Sequence, residues 1–392
     1  MTKKVLLIKY GEIALRKGNR AHFEHHLLDS IRRKIQTDFP TLKVYREQGR
    51  FLVEDLTGDV DTAAIIPRIR YIFGLTHFMP AIKTSVTDIH DLKPIALAFI
   101  KEHVGCKKTF KVNTKRSDKN YPLLSGEVSA AIGEEIFMSD LGLTVDLHNP
   151  EISLWVELRN NTYFYVDSVR GEGGLPYSTS GKGVLLLSGG FDSPVAGYLC
   201  ARRGVEIVGI YFHSPPFVSE RALDKVKDLA RQLSSYTGKM KLCVIPFTEA
   251  QLFLKEAVHP EKLTIFLKRA MIHIASTLAE NEKAQCLITG DSIGQVASQT
   301  MQSLAAVNSA ANMPIIRPLS ILDKQEIIDI TRKINTYDIS HRPYDDCCTL
   351  FVAKHPENKP NTSVIERIET QLMERLQPLL TAALENAEYF EL

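Results

Sequence analysis

Leu185-Leu186-Leu187-Ser188-Gly189-Gly190-Phe191-Asp192-Ser193-Pro194 is the stretch on which the reading of this chain turns. An apolar strand runs straight into Ser-Gly-Gly. The helix that follows starts at Ser193, with Pro194 in its first turn, where a missing N–H removes nothing the helix needs. Glycines let the backbone approach an anion, and the amides and positive end of the helix favour phosphate there. Ser188 and Ser193 add hydroxyls, and Asp192 is suited either to hold magnesium or to orient the loop. It is no Walker loop, because Gly181-Lys182 has neither the earlier glycine nor the following Ser/Thr, and it is no GxGxxG. A tight strand-to-helix turn without a ligand is the bland alternative.

Downstream the pattern alternates: strand Val184 to Leu187, helix to Arg203, strand Val205 to Phe212, helix Glu220 to Tyr236, strand Leu242 to Ile245, helix Glu261 to Glu280, strand Cys286 to Thr289. Short strands alternating with longer helices predict right-handed βαβ units and a doubly wound parallel sheet over residues 184–392. Ligands of such sheets bind beyond the carboxyl ends of the strands. Upstream, residues 171–183, rich in Gly, Ser and Pro, read as a linker.

Residues 1–80 read strand, helix, strand, strand, helix, strand, the order of a ferredoxin-like unit. The first helix ends before Pro40, and Asp59 or Asp61 caps the second. Residues 81–170 form a second small α/β domain. It has helices from Asp88 and Ser125, and its last two strands flank Asn160-Asn161, a two-residue turn signal. Trp155 reads as core, and Cys106, Cys200, Cys243 and Cys286 read as buried small hydrophobes.

The 392 residues suffice for two or three domains, and 24% charged with 44% hydrophobic residues is a globular balance. No apolar run approaches the roughly 18 residues of a membrane helix. Six cysteines without a CxxC pair make no disulfide framework, which fits a reducing cytoplasm. Net charge is only +2, but residues 1–50 hold twelve Lys/Arg against five acids. A second cluster, Lys107, Lys108, Lys111, Lys115 and Arg116, lies in the same half of the chain. Lys/Arg gathered on one surface suits phosphate contacts, with a solvated helix face as the alternative.

Ser-Gly-Gly-Phe-Asp-Ser after an apolar strand resembles the pyrophosphatase-loop family, which cleaves ATP between its α and β phosphates to adenylate a carbonyl oxygen. The motif also occurs in NAD and GMP synthetases, so it sets chemistry rather than substrate. Four further segments follow in order: Tyr211-Phe212-His213-Ser214-Pro215-Pro216-Phe217, Thr289 to Thr300, Arg317-Pro318-Leu319 and Pro343-Tyr344-Asp345-Asp346-Cys347-Cys348. Together with the front half they are similar to tRNA 4-thiouridine synthetases. The resemblance implies a ferredoxin-like domain, a THUMP RNA-binding domain and an ATP-binding pyrophosphatase-loop domain. It implies ATP, with magnesium, against Leu186, Leu187, Tyr211, Phe212, Lys268, Gly290 and Gln299, and its phosphates on Ser188, Gly189, Gly190, Asp192 and Ser193. Where this chain has Lys268 relatives have arginine, and Arg269 is the neighbouring substitute. Tyr211 and Phe212, read alone, either stack on adenine or pack in the core.

The resemblance further gives Lys324, on position alone a solvated helix residue, a catalytic role. Cys347 becomes the sulfur carrier, with Cys348 secondary. Adjacent Cα atoms about 3.8 Å apart are too close for the usual disulfide, so a bridge between these two is not expected. The expected reaction is adenylation of a tRNA uridine, at position 8, followed by persulfide sulfur transfer giving 4-thiouridine. A cysteine desulfurase is the expected donor, and a homodimer is compatible with the fold. The resemblance is to the form without a rhodanese domain. Thiazole synthesis for thiamine goes with that domain in some members and is a secondary expectation. Two rivals carry different observable consequences. A small-molecule amide-forming ligase with the same loop would release pyrophosphate without tRNA, and a non-catalytic RNA-binding protein would not bind ATP.

Overall fold

The computed structural model describes residues 2–15, 18–117, 119–344 and 356–392, which divide into two compact units, Met1–Gly174 and Leu175–Leu392. In the first unit the chain runs β1 (Thr2–Tyr10), α1 (Arg20–Ile35), β2 (Leu42–Glu47), β3 (Arg50–Asp55), α2 (Thr62–Ile69) and β4 (Leu75–Thr84). Asp61 caps α2 by accepting from the Ala64 amide. Asn19 precedes α1 without a side-chain cap. The neighbours β2-β3-β1-β4 are all antiparallel, the order a ferredoxin-like unit requires.

The chain continues through α3 (Ile89–Lys101), β5 (Thr109–Arg116), α4 (Ser125–Phe137), β6 (Thr144–Val145), β7 (Ile152–Leu158), β8 (Thr162–Tyr165) and β9 (Val169–Arg170). These strands extend the same sheet in the order β4-β8-β7-β5-β6, so the two expected front domains share one nine-stranded sheet. β4 crosses the expected boundary at residue 80, pairing Ile82 with Phe164. Phe110, Val128, Ile132, Leu154 and Val156 build the core under α3 and α4.

The sheet curls. In a flat sheet β3 and β7 stand four strand spacings apart, about 19 Å. Yet Arg50 Nη1 on β3 lies 2.5 Å from Glu157 Oε2 on β7, and both side chains are buried. Tyr163, Tyr165 and Lys9 complete this network, Tyr165 donating to Glu157 at 2.8 Å. Trp155 departs from its expected core place. It stands 38% exposed on that face, stacked on Tyr165 with centroids 6.2 Å apart. β7 alternates Leu154 and Val156 inward, and the pleat turns Trp155 the other way.

The second unit comprises β10 (Lys182–Leu186), α5 (Asp192–Arg202), β11 (Glu206–His213), α6 (Glu220–Thr237), β12 (Lys241–Pro246), α7 (Thr248–Ala257), α8 (Pro260–Asn281), β13 (Cys286–Ile288), α9 (Met301–Asn308), β14 (Ile315–Ile316), α10 (Lys324–Lys333), α11 (Tyr337–Ser340), α12 (Thr362–Glu385) and β15 (Glu388–Glu391). The sheet order is β14-β13-β10-β11-β12-β15, parallel throughout except for β15, which returns antiparallel beside β12. The core of the sheet is the parallel one expected, with β15 added as an antiparallel edge. Val208, Ile210 and Phe212 face α7, α8 and α12, while Leu185 packs toward Gly197 of α5 and Leu233 of α6. Helices therefore cover both faces, the doubly wound arrangement.

The expected linker is not free chain. Gly171 and Gly173 donate to Thr76 and Leu75 carbonyls of the first unit, while Leu175 and Ser180 donate to Arg202 and Gly204 of the second.

Inside the second unit Arg269 is 2% exposed and fully committed. Its Nε donates to Glu369 Oε1 at 2.9 Å, its Nη2 to Glu369 Oε2, and its Nη1 to Ala306 O and to Ser309 Oγ at 2.8 Å. Burial would raise the Glu369 pKa, but His273 and Arg269 outweigh it and bring it down to about 2. Removing the arginine strands a buried carboxylate, so Arg269→Met is expected to lower stability by about 3–5 kcal/mol in urea titration. A depressed carboxyl pKa stabilises the fold above its unfolded value, and that contribution fades as pH falls through the folded value. Wild-type stability is therefore expected to drop between about pH 4.5 and pH 2.

Candidate functional site

In the sheet order β13-β10-β11, the chain moves from β10 to β11 and later returns to the other side of β10. The strand order reverses between β10 and β13, and a crevice opens there beyond the carboxyl ends. The loop after β10 is closed by Ser193 Oγ, which accepts from Ser188 N at 2.8 Å and donates to Ser188 O at 3.2 Å. Ser188 Oγ accepts from Gly190 N at 3.4 Å. α5 begins at Asp192, so its N-terminus points into the crevice. Ser340 Oγ donates to Gly190 O at 3.1 Å and ties the loop to α11.

Beside the loop lies a cavity of about 270 Å³. Of the expected nucleotide residues, Leu186, Leu187, Ser188, Asp192, Ser193, Tyr211, Phe212, Lys268, Gly290 and Gln299 all line it, and Gly189 and Gly190 form the loop at its edge. Met271, Ile272 and Val307 supply apolar wall, enough for a planar base. Tyr211 and Phe212 are both buried, Phe212 sharing the core of α7 and α8, so each serves core and cavity wall at once.

Gly290 is required by space. A Cβ there would stand 2.8 Å from both the Asp192 carbonyl carbon and the Ser193 nitrogen. Its neighbour Asp291 organises the cavity floor. Lys268 Nζ donates to it at 3.1 Å, Thr289 Oγ1 at 2.8 Å and Gln299 Nε2 at 3.3 Å, with Arg317 Nε 3.5 Å away. Burial would raise the Asp291 pKa, but Lys268, Thr289 and Arg317 reverse this and hold it below the usual carboxylate range. Gln299 is 9% exposed, and its Oε1 finds no hydrogen-bond partner among the described residues, which leaves an acceptor in the cavity wall. Asp291 and Arg317 were not singled out as site residues from sequence. The signal was present, since Asp291 closely follows β13, at the carboxyl end of the strand beside the phosphate loop.

Asp192 is clamped from both sides. Lys324 Nζ lies 2.7 Å from its Oδ1, and Gln295 Nε2 donates to its Oδ2 at 3.1 Å. Lys324 is thus not simply a solvated helix residue. The capping box Asp323–Glu326 starts α10 at Lys324, and its ammonium crosses to the loop 5.6 Å above the Phe191 ring. Arg269, committed to Glu369, is no substitute for an arginine at position 268, so the cavity cation is Lys268.

Cys347 and Cys348 lie outside the described residues. Of the other thiols, burial raises Cys200 to about 12 and Cys243 to about 11, so both stay protonated and unreactive. Cys286 is half-buried and Cys106 exposed, which corrects the expectation of burial for Cys106.

In the first unit Lys111 and Lys115 alternate along β5, opposite Ser153 and Glu157 of β7. Lys108 and Lys115 are exposed, Lys107 and Lys111 half-buried. Burial lowers the Lys9 pKa, Glu157 opposes this, and Lys115 lowers it further, so several cations share this face. Arg116 is different. Its Nη1 donates to Tyr121 O at 2.9 Å and Leu123 O at 2.6 Å, which turns the guanidinium to holding the loop before α4.

A model of the thiamine biosynthesis protein (ThiI) family matches residues 178–373, the ThiI ferredoxin-like domain residues 5–79 and the THUMP domain residues 86–167. A probable tRNA sulfurtransferase of Lachnoclostridium phytofermentans is 47% identical over 386 residues, 98% of each chain. Another, from Acetivibrio thermocellus, is 42% identical over 388 residues, again 98% of each. The crystal structure of a 4-thiouridine synthetase–RNA complex with bound ATP superposes with a TM-score of 0.88 at 36% identity, covering all of both chains. With these matches running along its whole length, the chain belongs to the tRNA sulfurtransferase family.

Proposed function

We propose that this chain makes 4-thiouridine in tRNA, adenylating a uridine with ATP in the cavity beside the phosphate loop and then replacing the adenylate with sulfur. The observation that carries this reading is the clamp on Asp192, which holds Lys324 at the mouth of a helix N-terminus built for phosphate. The base of ATP fits the wall of Met271, Ile272 and Phe212, with the free Gln299 Oε1 accepting from an exocyclic amino group. Its phosphates fall to Ser188–Ser193. Lys268, held by Asp291, and Lys324 offset charge that develops as pyrophosphate leaves.

Among the described residues no group of three or more His, Cys, Asp or Glu side chains gathers to hold a metal. Magnesium is nonetheless compatible with the site, since it is commonly held by one or two carboxylates plus substrate phosphates, and Asp192 supplies such a carboxylate. When bound it would neutralise phosphate charge.

Uridine O4 attacks the α-phosphorus and pyrophosphate leaves. The outer sulfur of a Cys347 persulfide then attacks C4 and AMP departs. An external thiol attacks Cys347 Sγ, the S–S bond breaks to leave sulfur on the base, and a second thiol frees Cys347 as an external disulfide forms. A cysteine desulfurase is the donor class that loads such a persulfide. The basic face of the first unit grips tRNA by backbone and shape, the usual mode for structured RNA.

Four outcomes test this reading. Asp192→Asn and Lys324→Met are each expected to slow tRNA-dependent pyrophosphate release by about 10²–10³-fold while tRNA affinity in filter binding stays near wild type. Reversing charge at Lys107, Lys108, Lys111 and Lys115 is expected to weaken tRNA binding and flatten its salt dependence by about 0.7–0.9 log units per lost phosphate contact. Arg116→Glu should instead lower thermal stability. Cys347→Ser is expected to abolish thiolation yet keep pyrophosphate release. Thiolation by that variant, with labelled sulfur found on Cys348 by mass spectrometry, would reverse the assignment.

A further inference from the structure

β11 runs one residue past the two cavity residues Tyr211 and Phe212. Its last residue, His213, is 6% exposed, with its ring 6.0 Å from that of Tyr211. His213 Nε2 stands 3.3 Å from Oε1 of Glu220, in the first turn of α6. His213 Nδ1 is buried and has no hydrogen-bond partner among the described residues, and the same holds for the Oγ of fully buried Ser214 beside it. Buried polar atoms are nearly always paired, so two unpartnered ones in succession at the carboxyl edge of a sheet call for a role. A neutral imidazole that gives its Nε2–H to the Glu220 carboxylate presents Nδ1 as an acceptor.

The chemistry proposed above needs such an acceptor. As uridine O4 bonds to the α-phosphorus, C4 loses its carbonyl double bond and N3=C4 forms in its place. The N3–H bond must break, and pyrophosphate carries away the electrons of the cleaved P–O bond.

We propose that His213 Nδ1 takes the uracil N3 proton during adenylation, with Glu220 orienting the ring and balancing the imidazolium; this rests on the uridine reading above. When the S–S bond is later split and the base becomes the thione, N3 regains its proton from His213 and the site is reset. No oxidant or reductant is required beyond two equivalents of the external thiol, which leave as a disulfide.

The test is single-turnover pyrophosphate release by the full-length chain, on tRNA transcribed with uridine or with 5-fluorouridine, whose ring fluorine acidifies N3–H. His213→Asn keeps an acceptor oxygen near the Nδ1 position but is not basic enough to take the proton. It is expected to slow release about 10²-fold on uridine tRNA and tenfold or less on 5-fluorouridine tRNA, with the KM for ATP within about twofold. Glu220→Gln alters a side chain that is 77% exposed, so folding is spared, and a smaller loss with the same substrate dependence is expected. Equal slowing on both tRNAs, or a raised KM for ATP with kcat intact, overturns the proposal. Wild-type protein that releases no pyrophosphate in response to tRNA overturns the uridine reading itself, a result seen without any variant.

Discussion

The approach of Gly290 to the phosphate loop is the constraint on which the second unit depends. Two parallel strands, β13 and β10, end side by side, and their following loops must share one crevice. With no side chain at position 290, backbone meets backbone, where a Cβ would stand 2.8 Å from Asp192 and Ser193. A side chain there would push the helix N-terminus of α5 away from the strand end and open the loop. The same closeness sets Asp291, next to Gly290, in the cavity floor and Asp192, itself in the contact, at its mouth, so packing and charge placement are a single geometric fact.

Charge in the crevice is arranged by pairs that leave their cations facing the cavity. Asp291 is half-buried, its side chain 14% exposed, and an unpaired carboxylate there would be disfavoured. Lys268 and Arg317 neutralise it, while Thr289 and Gln299 satisfy its oxygens. The arrangement works in both directions: the carboxylate holds Lys268 against the wall, and the lysine keeps the carboxylate ionised. Asp192 and Lys324 repeat the device nearer to solvent, where the lysine is 44% exposed. On the reading proposed above, a cation held by one carboxylate is poised for an incoming polyphosphate, because the phosphate offers more negative charge than the aspartate does.

Much of this was legible in the sequence, and the reason is local. The strand–Ser-Gly-Gly–helix signal is contiguous, with its meaning in residues at most nine positions apart, and ten of the nucleotide residues named from it and its companions line one cavity. The ferredoxin-like order was readable for the same reason. What escaped was non-local. The shared nine-stranded sheet depends on β4 pairing with β8, about eighty residues later, and no periodicity announces a pairing. Trp155 looked like core because its neighbours are apolar, but a strand with one covered face alternates, and the pleat put the indole outside. β15 was invisible in a four-residue segment whose partner lies some 145 residues upstream. Arg116 belongs to the same class: a cluster of cations says nothing about which member is consumed by neighbouring carbonyls.

Position 268 shows why adjacency in sequence is a poor substitute for position in space. On α8, successive residues are turned about 100° apart, so Lys268 and Arg269 point to different surroundings. Lys268 reaches the crevice, whereas Arg269 points into the packing of α8 against α9 and α12 and is saturated by a bidentate carboxylate, a carbonyl and a hydroxyl. To serve the cavity, Arg269 would have to abandon its bidentate pairing with buried Glu369, leaving that carboxylate only His273. The cavity cation is therefore a point charge on a flexible stem and lacks the planar fork of arginine. Such a group neutralises a phosphate without fixing its orientation, so orientation must come from elsewhere. On the reading proposed above it comes from the backbone of Ser188–Ser193, whose geometry is locked by the Ser188–Ser193 bonds and by Ser340 on Gly190.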